Sequence, residues 1–154
     1  MISDATALIC LGKIGKLELL RQLYATIIIP AAVKKEVLVE GKDGYLSIYN
    51  AVAKGWIKVI ESKKIHNLGL GPGETQAISL AIEKKDCIIL DDAFAIKAAK
   101  AFNIPIVRTT TVIFMAVKNK IITKPEALGI LNQLIDIGYY ISTKEYAVLM
   151  SKLK

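Results

Sequence analysis

The feature that most constrains this chain is a set of short, wholly apolar runs rich in β-branched residues. They are "TIIIP" at residues 26–30, "CIIL" at 87–90 and "IPIV" at 104–107, separated by longer stretches with helical periodicity. A strand apolar on both sides must be covered on both faces. Strands that alternate with helices over short connections form a parallel sheet between helical layers. The chain is therefore expected to be α/β.

The alternation runs the length of the chain. "MIS" reads as a short strand, and "ATALICLGKIGKLELLRQLY" as one or two helices broken around Gly12 to Gly15. "TIII" is stopped by Pro30 and followed by a helix over "AAVKKEVLVE". "YLSIYNAVAKG" reads as a helix and "WIKVI" as a strand with alternating faces. Then come the loop "ESKKIHNLGLGPG", the helix "ETQAISLAIEKK", the strand "CIIL", the helix "DAFAIKAAKAF", the strand "IPIV" and the helix "TTTVIFMAVKNK". Two further helices close a single domain from about residue 123, each opened by a capping-box pattern: Thr123 with Glu126, and Ser142 with Glu145.

Composition sets the chemical class. With 154 residues, 53% of them hydrophobic and 23% charged, the chain can bury one full core and is not a disordered segment. Apolar runs are broken well before the ~18 residues a membrane span needs, so no membrane partner is expected. Asp4 near the start and the lack of a basic leader argue against a signal peptide. Cys10 and Cys87 lack metal-ligand spacing and read as buried reduced thiols of a cytoplasmic protein. The formal charge of +7 and pI near 9.4 suit a polyanionic partner. The paired lysines at 34–35, 63–64 and 84–85 are scattered and read as solvated faces.

Against that positive background, "CIILDD" sets two aspartates at the tip of a buried strand. In parallel sheets ligands gather beyond the carboxyl ends of the strands. Asp4 follows the first strand, Asp91 and Asp92 follow "CIIL", and Glu74 lies in the first turn of the helix opened by "GPGE". A helix cap accounts for one aspartate of the pair, and a first-turn acid such as Glu74 is also ordinary helix chemistry. Glu36 lies mid-helix, one turn before Glu40 on the same face. Two anions ~4 Å apart repel by about 4 kcal/mol at an effective dielectric of 20. Protonation, an Arg or Lys, or a divalent cation can offset that cost. An all-oxygen set without His or Cys selects a hard ion, Mg²⁺ or Mn²⁺, which can acidify bound water and clamp a phosphodiester.

These residues resemble a known family. "ISDATALI", "IIIPAAVKKEVL", "GPGETQAISLA", "IILDDAFAIKAAK" and "IPIVRTT" follow in the order and spacing of PIN-domain proteins. The resemblance is to the small prokaryotic members described as nucleic-acid-binding and related to VapC-type toxins. It implies a three-layer α/β/α sandwich with a mainly parallel central sheet. It also implies an acidic pocket that binds Mg²⁺ or Mn²⁺ and hydrolyses RNA. Asp4 then matches the first-strand acid, Glu36 the acid of the helix after the second strand, and Glu74 the acid opening the helix before "CIIL", where many relatives have Asp. Asp92 matches the acid after that strand, with Asp91 as an extra or alternative ligand. Thr6 and Thr109 would orient water or phosphate, and Arg108, Lys13 and Lys35 would hold the RNA backbone. Many relatives carry Gly-Thr where this chain has Arg108-Thr109, and a guanidinium there can bind phosphate or neutralise the acids. The second of these leads to a PIN-like binding or protein-interaction module without turnover. The resemblance also allows an antitoxin protein and a homodimer as partners, the latter through "TTTVIFMAV", which is equally well explained as core.

Other residues carry less. His66 is the only histidine and reads as surface; Trp56 reads as core at the start of a strand. Tyr139 and Tyr140 read as a partly buried strand, with stacking on RNA bases as the second option. "GLGPGE" lacks the Lys-Ser/Thr of a phosphate-binding P-loop.

Overall fold

A computed structural model describes residues 1–154. Five parallel strands are ordered β3-β2-β1-β4-β5: β1 Ile2–Ser3, β2 Ile27–Ile29, β3 Ile57–Val59, β4 Ile88–Ile89 and β5 Ile106–Val107. Nine helices accompany them: α1 Ala5–Lys13, α2 Glu18–Tyr24, α3 Ala31–Val37, α4 Tyr45–Ala53, α5 Pro72–Lys84, α6 Ala93–Ala101, α7 Thr109–Lys118, α8 Lys124–Asp136 and α9 Thr143–Leu153. They flank the sheet as the apolar strands require, with α3 on α5 and α5 on α6 in one group, and α2 on α7 and α7 on α8 in another. No helix is long and apolar enough to cross a membrane.

The strands are buried as their composition demands. Ile2, Ile27, Ile29, Ile88 and Ile89 are at most 1% exposed, each contributing about 1.5–3 kcal/mol of apolar burial. Trp56 joins the same core. The apolar stretch of α7 is mainly core too: Val112, Ile113 and Ala116 are buried, and Phe114 is half-buried with the Lys152 ammonium 5.1 Å over its ring.

The chain winds outward from β1 through β2 to β3, then returns to lay β4 on the other side of β1. That reversal makes the carboxyl ends of β1 and β4 a topological switch point, where adjacent connections diverge and leave a crevice. The backbone N–H of Asp4 donates to Ile89 at 3.1 Å, and Leu90 donates to Val107 at 2.9 Å, so the residues after β1, β4 and β5 emerge side by side.

Three local expectations are corrected. The helix expected over residues 31–40 stops at Val37, because the chain must turn back through Gly41 and Gly44, both with positive φ, to pack α4 on α1. A Cβ on Gly44 would stand 2.8 Å from the Gly12 carbonyl carbon, so only glycine allows that approach. Glu40 therefore lies outside the helix and does not share a face with Glu36. Tyr139 and Tyr140 lie in the α8–α9 connection and not in a strand. His66 is half-buried, its ring edge against Phe102 with centroids 5.3 Å apart.

Candidate active site

Asp4 is the centre of the site. It leaves β1 at the switch point as the N-cap residue of α1, 3% exposed, yet its side chain makes no capping bond. Its Oδ1 is buried without a hydrogen-bond partner. Burial pushes the carboxyl from 3.8 up to about 7; the Ala5 N–H opposes the rise, and the charges of Glu74, Glu36 and Asp91 add to it.

Glu36 from α3 and Glu74 from α5 lie near enough to Asp4 for their charges to act on it. The position a Cβ of Gly73 would take lies 2.7 Å from Glu36 Oε2 and 3.5 Å from Asp4 Oδ1. The missing side chain at Gly73 is thus what lets two carboxylates from different elements approach. Gly71 and Pro72 start α5 just before it, which puts Glu74 in the first turn. Partial desolvation raises the carboxyl of the exposed Glu36, and the Glu74 charge raises it further. No Lys or Arg stands within ion-pair distance of the Asp4 or Glu36 carboxylate.

The two aspartates after β4 have separate tasks. Asp92 caps α6, its Oδ1 accepting from the Ala95 N–H at 2.9 Å, and it shares with Glu74 the lining of a groove of ≈ 630 Å³. Asp91 turns inward with a side chain 7% exposed. Its Oδ1 accepts from the Thr109 N–H at 3.0 Å and from the Tyr139 hydroxyl, and its Oδ2 accepts from the Thr109 hydroxyl at 2.6 Å. Burial pushes the Tyr139 phenol up, and the Asp91 charge and hydrogen bond push it further.

Arg108 does not enter the Asp4–Glu36–Glu74 cluster. Its Nη1 donates to Glu145 at 2.8 Å, and its Nε stands 3.8 Å from Asp91. Glu145 also accepts from the Thr110 hydroxyl at 2.8 Å. Thr109 is occupied with Asp91, and Thr6 is half-buried in the first turn of α1. Lys13 is exposed at the end of α1. Lys35 lines a second groove of ≈ 660 Å³ with Glu36 and Gly73, so the first turn of α5 separates two grooves. The sequence offered Tyr139 only a strand position or a stack on RNA bases and Glu145 only a helix cap, and placed neither beside Asp91 or Arg108. Their only signal is a tyrosine and an acid close together in a late segment, with nothing to say that it folds back over β4 and β5.

The donor chemistry suits a hard divalent ion: all oxygen, anionic, and with one buried oxygen unpaired. As the side chains stand, no three acids, histidines or cysteines gather closely enough to hold an ion. The common point is shared by Asp4 and Glu36, with Glu74 beside it.

Comparison with known proteins agrees with this architecture. A solved structure of a PilT N-terminus domain protein from the hyperthermophilic archaeon Sulfolobus solfataricus P2 superposes with a TM-score of 0.55 at 20% identity. The match covers 72% of this chain and 87% of that one, a likeness of fold. No curated protein matches the sequence. A family model described as PIN domain matches residues 1–154. PIN domains bind nucleic acids and are generally nucleases that use divalent metal ions. With the whole length matched and the parallel sheet in place, the chain belongs to the PIN-domain family.

Proposed function

We propose that this protein is a ribonuclease that hydrolyses RNA phosphodiester bonds at the β1–β4 switch point with a divalent ion, Mg²⁺ or Mn²⁺. The observation that carries the reading is Asp4. Once ionised, a buried carboxylate with an unpaired oxygen and two further acids nearby costs stability unless a cation joins it; below about pH 7 it is relieved by keeping its proton. Asp4, Glu36 and Glu74 would hold the ion, with Asp92 on the groove side and Asp91 as a further oxygen donor. Bound there, the ion would supply an acidified water and charge neutralisation for in-line displacement.

The chain's own residues do the rest. Asp4 lies at the protein end of the site, Gly73 keeps the approach open, and Thr109 and Tyr139 hold the Asp91 carboxylate in one orientation. Thr6 is close enough in sequence to Asp4 to orient water. Lys35 on one side of the α5 turn provides a cationic contact for the phosphate backbone, and Lys13 is exposed for a further one. The test is Mn²⁺-dependent cleavage of single-stranded RNA by the wild type and by Asp4→Asn. Loss of cleavage in the variant, with its fold retained, is expected; cleavage that survives chelation, or persists in the variant, rejects the reading.

A second reading is a binding module without turnover. It is favoured by the occupation of both Asp91 oxygens and by the absence of a three-acid cluster in the present arrangement. RNA binding with no cleavage in any divalent ion would establish it. The role of toxin in a toxin–antitoxin pair fits the ribonuclease reading, and a neighbouring gene for a small DNA-binding antitoxin would test it.

A further inference from the structure

The groove that carries Glu74 and Asp92 at one end is walled by side chains the proposed chemistry does not use. Phe94 is 77% exposed, the joint highest exposure among the large apolar side chains. Leaving a phenyl ring in water forgoes about 1.5–3 kcal/mol of burial, and this one stands two residues after the Asp92 cap. Phe94, Lys97, Ala98 and Ala101 follow the helical i, i+3, i+4, i+7 spacing, so one face of α6 presents a ring, an ammonium and a smooth floor of two methyl groups. The rest of the lining is the loop that enters α5, where Leu68 and Leu70 alternate with Gly69 and Gly71.

The geometry points to a subsite for one unpaired base. We propose that Phe94 stacks on a base of single-stranded RNA, with Lys97 on the adjoining phosphate and the flanking nucleotide carried to Glu74 and Asp92. The slot, ≈ 630 Å³, falls within the roughly 300–1,000 Å³ of small-ligand clefts. The exposed ring of Phe94, with the apolar Leu68 and Leu70 in the same lining, suits a flat ring, and every base has a π-face, so such stacking tolerates sequence. The acids at one end repel phosphate, whereas Lys97 attracts it. A polyanion is thus held beside the acids and brought onto them only where a cation shields the charge. An apolar peptide would gain from Phe94 but would leave Lys97 and the two acids without partners.

This subsite rests on the ribonuclease reading for its place in a reaction, but its binding does not need a metal. The experiment is fluorescence anisotropy of a labelled single-stranded oligoribonucleotide with the full chain in EDTA. Phe94→Ala is expected to weaken binding about 5–150-fold, the range set by loss of one stacked base. Phe94→Trp should retain it, and Ala98→Leu, which fills the floor, should weaken it with Phe94 intact. Duplex RNA should bind equally to wild type and Phe94→Ala. Equal affinity of Phe94→Ala and wild type for the single strand overturns the proposal, as does no RNA binding by the wild type; peptide-like behaviour of the groove would give the first of these. If cleavage is lost in Asp4→Asn while Phe94→Ala binds normally, the nuclease reading stands and the subsite falls. If Phe94→Ala weakens binding but no variant or ion gives cleavage, the subsite stands and the nuclease reading falls.

Discussion

Asp4 combines burial, an unpaired oxygen and neighbouring acids, and these make it a pH-sensitive element. Below 3.8 the carboxyl is protonated whether the chain is folded or not, and it has no effect. Between 3.8 and about 7 the unfolded chain releases a proton that the folded protein keeps. Stability therefore falls as pH rises through that window and stays reduced above it. Asp4→Asn cannot ionise, so in metal-free buffer its thermal midpoint should exceed the wild type's by about 10–15 °C at pH 8. The gap should close toward pH 4, and Mn²⁺ should narrow it at pH 8 by stabilising the wild type alone. Calorimetry at the two pH values checks this; a variant less stable than wild type at pH 8 contradicts it. Gly73 gives a companion test. The Cβ of Gly73→Ala would displace Glu36 Oε2, the far end of an exposed and flexible side chain, while meeting Asp4 Oδ1 at an ordinary 3.5 Å. The variant should lose under about 1 kcal/mol of stability but bind Mn²⁺ about ten-fold more weakly, as read by titration calorimetry. Unchanged Mn²⁺ affinity would remove Glu36 from the ligand set.

At the scale of elements, the two C-terminal helices show how local signals are kept or redirected. Thr123 and Glu126 form the complete reciprocal capping box at the start of α8. At α9 only half of it forms: Ser142 accepts from the Glu145 N–H at 3.1 Å, but the Glu145 carboxylate turns to Arg108 and Thr110. Two charge-assisted bonds to partly buried partners outweigh one return bond to the Ser142 N–H. The result is a latch that joins α9 to the start of α7, with Tyr139 fastening the preceding loop to Asp91. Glu145→Ala leaves Arg108 half-buried without its closest anion and should cost about 1.5–3 kcal/mol, a fall in melting temperature of about 4–10 °C. Glu126→Ala removes only a cap and should cost about 1 kcal/mol. Equal losses in the two variants, measured by thermal unfolding, would show that the latch carries no tertiary energy.

At the scale of the molecule, a charge of +7 surrounds a pocket of acids, and the two signs act at different ranges. The positive field draws a polyanion; the acids require a cation before a phosphate can settle among them. With three phosphates neutralised, single-strand affinity should fall about twenty-fold between 50 and 200 mM salt. A flat salt profile in anisotropy titrations would mean that lysines take no part. The alternation of apolar strands and amphipathic helices was enough to predict a parallel α/β fold, because burial on both faces is a demand that local composition expresses directly. The positions of Asp4, Glu74 and Asp92 were legible for a related reason: they stand at the ends of elements whose boundaries can be read. The remainder depends on contacts between residues far apart in the chain. Sequence could not say which aspartate of the adjacent pair turns inward, that Arg108 pairs with Glu145 while standing beside Asp91, or that Gly73 sets the approach of Glu36 to Asp4. Each of these is settled by which partner lies within hydrogen-bond or van der Waals reach, and that distance exists only once the strands have taken their order in the sheet.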